Sequence, residues 1–164
     1  MLHALPLHHL HGVVVALLSA LTAGASVRML PKFDVELCLR ELPAVTLMMA
    51  VPTMIQRILE RVDALSVAER ERASASARAL RLVTSGSAAL PVSLAERWRS
   101  FAGAIPLERY GMTEIGIGLS NALEVARRKP GFVGAPLADV EIRIVHDDGS
   151  DGDGPGDLWV RGPG

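Results

Sequence analysis

The sequence predicts an α/β protein, a parallel sheet covered by helices, followed by the start of a β-rich subdomain. Two observations predict it. Short apolar runs alternate with helix-period segments over residues 1–130, and past about Gly131 the pattern becomes strand alternation around a turn rich in Asp, Gly, Ser and Pro. Parallel neighbours need crossover connections, usually helical, which makes the βαβα series informative about sheet type.

Taken in order, Leu2 to Leu7 is an apolar run that suits a buried strand entering a loop at the histidine cluster. A helix follows over about 12–23 with Gly24 placed to cap it, and 26–30 is the next strand. Phe33, Leu37 and Leu42 share a face of an amphipathic helix that Pro43 stops. Thr46 to Val51 is a buried strand, after which Pro52 opens a helix carrying Ile55, Ile58, Leu59 and Val62. An exposed helix over 66–79 leads to a strand at 80–84 and the turn Ser85-Gly86-Ser87. Pro91 to Ala102 is another helix and 105–107 another strand. Val140 to Val145 and Leu158 to Val160 alternate on either side of the turn Asp147 to Gly156, which predicts a hairpin or meander reaching the last residues.

Seventeen basic against eighteen acidic residues leave a formal charge of -1, so no global field draws the chain to nucleic acid or anionic lipid. Lys32 and Lys129 are the only lysines, and a mechanism that needs one has two candidates. The single cysteine, Cys38, excludes an internal disulfide and a multi-cysteine metal site, and its apolar neighbours mark it as a small core residue. Val13 to Leu21 is the most apolar stretch and falls far short of the roughly 20 residues that span a bilayer. The start of the chain has neither a secretory nor a transit-peptide pattern, so Met1 is expected to open inside a folded region.

Three polar clusters follow apolar strands: His8-His9-Leu10-His11, Ser85-Gly86-Ser87, and Arg109 to Glu114. Ligands of parallel sheets collect at the carboxyl ends of strands, so chain order places all three on one rim. The segment Pro106 to Glu114 ends a strand and turns sharply at Gly111. Tyr110 offers a ring on which a base can stack, Thr113 a hydroxyl for a phosphate oxygen, and Glu114 a hard carboxylate for Mg²⁺. A solvent-exposed polar turn would use the same residue types. The three imidazoles lack H-x-x-x-H spacing and a nearby acid or thiol, which argues against a metal site, and Ser85 and Ser87 lack a nucleophile elbow.

Glu108-Arg109-Tyr110-Gly111-Met112-Thr113-Glu114 resembles the Tyr-Gly-x-Thr-Glu signature of the adenylate-forming enzymes. Three further segments match in order: Leu5 to Gly12 is similar to the acyl-pocket motif, Ser85 to Pro91 to the turn beside adenine and acyl group, and Gly156 to Gly162 to a strand motif late in the large domain. Within the superfamily these segments look most like malonyl-CoA synthetases, with nearest kin in the mitochondrial acyl-CoA synthetase family.

The resemblance implies an ATP-dependent carboxylate–CoA ligase that joins malonate, or methylmalonate, to coenzyme A. The carboxylate attacks the α-phosphate of ATP to give acyl-AMP and pyrophosphate, and the CoA thiol then displaces AMP. It implies nucleotide contacts from Ser87, Ala88, Ala89, Glu108, Arg109, Tyr110, Gly111, Met112 and Thr113. It also implies catalytic roles for Thr113 and Glu114, Mg²⁺ on Glu114, and an acyl pocket formed by His9, His11, Gly12 and Met112. A dicarboxylate needs a cation for its distal end, best an Arg fork, and Arg28, Arg40 and Arg109 are the candidates.

The family's phosphate loop would lie upstream of Leu5, and its lysine-bearing small domain and ribose-binding aspartate would lie downstream of Gly164. The 164 residues are therefore expected to be an internal piece of the large domain, with absent or very weak turnover alone. A sheet opened at its ends leaves self-association through an exposed edge open. Kinship implies a mitochondrial or cytoplasmic compartment. Two other readings stay open: a non-catalytic nucleotide- and acyl-binding or interaction module, and a synthetase for another short, a medium-chain or an aryl acid.

Overall fold

The structure is a computed structural model that describes residues 1–162. Pro163 and Gly164, the last two residues of the expected β-rich stretch, lie outside the described residues.

Seven strands make the main sheet in the order β2-β1-β3-β4-β5-β6-β7. They are β1 (Leu2–His3), β2 (Arg28–Met29), β3 (Leu47–Ala50), β4 (Leu82–Ser85), β5 (Leu107–Met112), β6 (Gly116–Ser120) and β7 (Ala135–Pro136). The first five are parallel, as the alternating pattern predicts, while β6 and β7 add on as antiparallel neighbours. A separate antiparallel pair, β8 (Glu141–Val145) and β9 (Asp157–Arg161), forms the predicted hairpin.

Four helices cover the parallel part and pack on one another: α2 (Val35–Glu41), α3 (Pro52–Asp63), α4 (Val67–Arg78) and α5 (Val92–Ala102). Local chemistry sets their ends. Asp34 caps α2 by accepting from the Leu37 N–H at 2.9 Å, Ser66 and Glu69 form a reciprocal capping box on α4, and Gly103 ends α5 at φ +85°. The apolar face of α3 buries Ile55, Ile58, Leu59 and Val62 as its period requires, and Trp98 of α5 packs edge-on to Phe101 at 5.5 Å. Each such side chain contributes about 1.5–3 kcal/mol when fully buried. Cys38 is part of this core, and burial pushes its thiol up to about 11.

The chain between β1 and β2 departs from an ordinary helix. His11–Leu18 is a π-helix that passes into one α-turn, α1 (Ser19–Thr22). Gly12 is obligatory at its start, because a Cβ there would sit 2.0 Å from the Pro6 carbonyl oxygen. The connections from β2 to β3, β4 and β5 all run the same way across the sheet, and β1 to β2 runs the other way. Right-handed crossovers then put the His11–Thr22 segment on the face opposite α2 to α5 and make the β1/β3 boundary a topological switch point.

Two expectations for this region need correction. The strand expected at 105–107 runs over 107–112, so most of the signature Glu108 to Glu114 is strand and not loop. The reversal is also not at Gly111. It spans Thr113 to Ile115, with Gly116 at φ +66°, whereas Gly111 sits at a bulge in the β5–β6 ladder where a Cβ would meet the Gly116 carbonyl oxygen at 2.0 Å. Because β7 pairs with β6, the main sheet continues past Gly131 and the second sheet begins at Glu141.

Candidate active site

A cleft of about 1210 Å³ opens at the carboxyl ends of the parallel strands. Its walls are the segments that follow β1, β2, β3 and β4, together with the end of β5 and its turn. The rim expected from chain order is therefore one continuous surface. His9, His11 and Gly12 line one side, Ser87 and Ala88 the next, and Arg109, Gly111, Met112, Thr113 and Glu114 the side made by β5. Ala89, Glu108 and Tyr110 do not line it. Successive residues of a strand face opposite sides, so Glu108 and Tyr110 look away from the floor that Arg109 occupies.

Arg109 is held by the adjacent strands. Its Nη2 donates to Thr84 Oγ1 at 3.0 Å and lies 3.4 Å from Met49 Sδ, two residues that are register partners on β4 and β3. Its Nε is shut off from solvent without a partner, and burial lowers its pKa. Among the described residues no carboxylate pairs with it. The other two candidate cations stand elsewhere: Arg28 and Arg40 both pair with Glu41, away from the cleft.

His11 stands near Arg109 in the same cleft. Its Nδ1 shares a hydrogen bond with Ser87 Oγ at 3.0 Å, while its Nε2 is buried and unpaired; the Ser85 hydroxyl, also unpaired, is on the other face of β4 and does not line the cleft. Burial, then the positive charge of Arg109, then His3 bring the His11 pKa down to about 4, so the ring is neutral at pH 7. His3 is fixed on both nitrogens, accepting from the Leu5 N–H at Nδ1 and donating from Nε2 to the Gly12 carbonyl at 2.9 Å. Ser87 holds φ +68°, an uncommon conformation for a residue with a side chain and one that concentrates at functional sites. Glu114 is exposed on the β5–β6 turn and is in no ion pair among the described residues.

Sequence reading missed Thr84 and Met49 as the holders of Arg109. A polar Thr inside an otherwise apolar buried strand was the available signal. It also missed Asn121, whose amide makes four hydrogen bonds to the backbone of Ala122, Lys129 and Phe132, and for which the sequence offers no signal beyond a polar residue in a turn-rich stretch.

The model of the AMP-binding enzyme family matches residues 1–164. The chain belongs to the AMP-binding enzyme family. Within the family it is 50% identical over 153 residues to a mitochondrial malonate–CoA ligase of Mus musculus, which covers 88% of this chain and 26% of that protein. It is 39% identical over 174 residues to a malonate–CoA ligase of Arabidopsis thaliana, covering 99% of this chain and 28% of that one. A solved malonyl-CoA ligase in a ternary product complex with methylmalonyl-CoA and AMP superimposes with a TM-score of 0.85 at 40% identity, over 99% of this chain and 34% of that structure. The chain thus spans 26% to 34% of the length of these three proteins, and among its described residues no helix is long and apolar enough to cross a membrane.

Proposed function

We propose that this chain is the acyl- and nucleotide-binding part of an ATP-dependent malonate–CoA ligase, which makes malonyl-CoA, AMP and pyrophosphate through malonyl-adenylate. The observation that carries the dicarboxylate is Arg109, a cation on the floor of the cleft whose Nε has no partner, near His11, whose Nε2 is also unpaired. A buried cation without a carboxylate and two unsatisfied nitrogens cost stability, and a carboxylate in the cleft would satisfy both nitrogens. The names of the malonate–CoA ligases to which the chain is similar support the same reading.

The nucleotide is assigned to the wall of Ser87, Ala88 and Gly111 and to the turn beyond Met112, with Tyr110, whose hydroxyl lies 4.0 Å from the Met112 sulfur, offering its ring at that edge. Thr113 would donate its hydroxyl to the α-phosphate. Glu114 fits a magnesium site of the usual kind, one free carboxylate at a cleft edge with the remaining ligands from phosphate and water. Mg²⁺ held there would neutralise charge on the phosphates. Residues 1–130 would be the α/β part of the binding domain and the hairpin the start of its β-rich subdomain, with a mitochondrial or cytoplasmic compartment by kinship.

The test replaces the matching segment of a full-length malonate–CoA ligase with this chain and follows pyrophosphate exchange into ATP. Malonate and methylmalonate are expected to support exchange; support from octanoate or acetate but not malonate overturns the dicarboxylate assignment. The chain alone is expected to bind malonate without turning it over, and a rate near that of the full-length ligase would sink that part.

A further inference from the structure

Glu108 lies beside Arg109 in sequence and does something different. Its side chain, 5% exposed, turns away from the cleft. One carboxylate oxygen, Oε2, accepts from the Leu90 N–H at 3.3 Å; the other, Oε1, accepts from the Gly131 N–H at 3.2 Å. Among the described residues no cation pairs with it, and burial pushes its pKa up against the two N–H donors that pull it down.

A buried carboxylate is a costly way to satisfy two backbone amides, so its placement calls for a reason beyond the two bonds. The two amides belong to separate loops. Leu90 closes the turn Gly86 to Ala89, which carries Ser87 at φ +68° with its hydroxyl on His11 Nδ1. Gly131, at φ +80°, lies in the stretch between Asn121 and β7. Only a carboxylate can accept from both, since a Gln amide offers one oxygen and would face the second N–H with its own NH₂ donor.

We infer that Glu108 is a positioning residue for the cleft: it anchors the Ser85–Leu90 turn to β5, thereby sets the Ser87–His11 contact, and locks that turn to the Gly131 loop. The inference rests on the proposed ligase site for its effect on ligand binding, but the clamp itself does not depend on any ligand.

The experiment uses this chain as wild type, Glu108→Gln, Glu108→Ala and, for comparison, Ser87→Ala. Amide hydrogen exchange by NMR reads the clamp, and the His11 ring shifts read its consequence. In the wild type the Leu90 and Gly131 amides are expected to exchange slowly. Glu108→Gln should speed one of them and Glu108→Ala both, by about 10- to 100-fold, with β3 and β4 amides unchanged. The His11 ring should move in the same direction as in Ser87→Ala, and malonate affinity should fall about 10-fold in both Glu108 variants. Fast exchange of both amides in the wild type overturns the clamp, as does faster exchange spread evenly over β3 and β4, which marks general destabilisation. Local loosening with an unmoved His11 ring overturns the positioning role. Failure of Glu108→Ala to fold leaves Glu108→Gln to decide. Absence of malonate binding by the wild type counts against the proposed ligase site alone, since the amide and ring measurements need no ligand.

Discussion

Two arginines with no carboxylate partner among the described residues stand near β5, and they differ in how their donors are used. Arg128, 9% exposed, gives its Nε to the Ala122 carbonyl, Nη1 to Ile105 at 2.8 Å and Nη2 to Leu123 at 2.8 Å. It is a finished structural staple that ties the loop after β6 to the chain entering β5. Arg109 gives Nη2 to Thr84 and leaves Nε with nothing. The difference separates a cation that completes the fold from one that the fold leaves incomplete. Hydrogen bonds of a charged group are worth roughly 1.5–3 kcal/mol each, so the first kind is costly to remove and the second costly to keep.

The largest expected effect falls on the finished arginine. Arg128→Ala leaves three inward carbonyls unpaired and should lower the unfolding free energy by about 3 kcal/mol or more in urea titration, while malonate affinity of the folded molecules changes less than about twofold. Arg128→Lys should recover little, because an ammonium cannot reproduce the fork. Arg109→Met should do the reverse. Calorimetric titration is expected to show malonate affinity about 100-fold weaker, equivalent to about 2.7 kcal/mol, with an unchanged or higher urea midpoint. A large stability loss in Arg109→Met would erase the distinction between the two.

His11 sharpens the comparison through pH. Its folded pKa near 4 lies below the ordinary 6.5, so the unfolded chain binds the proton first. Stability is fully present above pH 6.5 and is lost as pH falls from there toward 4, by roughly 1–2 kcal/mol once partial solvent access is allowed for. A carboxylate on Arg109 offsets the charge that depresses His11, so malonate should move the ring's titration upward in NMR. An unmoved titration at saturating malonate places the ligand elsewhere. The smallest effect is expected at Trp159, exposed on the hairpin: Trp159→Ala should stay within about 0.5 kcal/mol of wild type.

The hairpin and the parallel body also show what was legible in the sequence. Proline openings, glycine ends and the α3 face of Ile55, Ile58, Leu59 and Val62 are local signals, and each helix they marked formed within about two residues of its expected ends. The β8–β9 hairpin was legible from alternation on either side of a turn rich in Asp, Gly, Ser and Pro. The antiparallel extension was not. The sequence Gly116-Ile117-Gly118-Leu119-Ser120 reads as flexible, and its strand character comes from pairing with β5. Within the site, motif spacing found the rim, because the ends of parallel strands bring it together whatever the side chains do. The separation of Glu108 from Arg109 follows from strand alternation, but only once Arg109 is known to lie within β5 and not in a loop after it. Thr84 and Met49 escaped because contacts across strands depend on register, which no single strand encodes.

The π-helix at the mouth of the cleft has a consequence for how this wall can change through insertion and deletion. A π segment takes up one more residue than an α-helix of similar span. Removing one residue after Gly12 could restore α geometry without lengthening the link between β1 and β2, shifting which side chains of the segment face the cleft while those beyond it keep their place. Length variation at this point would therefore re-aim the wall beside His11 in one step and leave both flanking strands where they are.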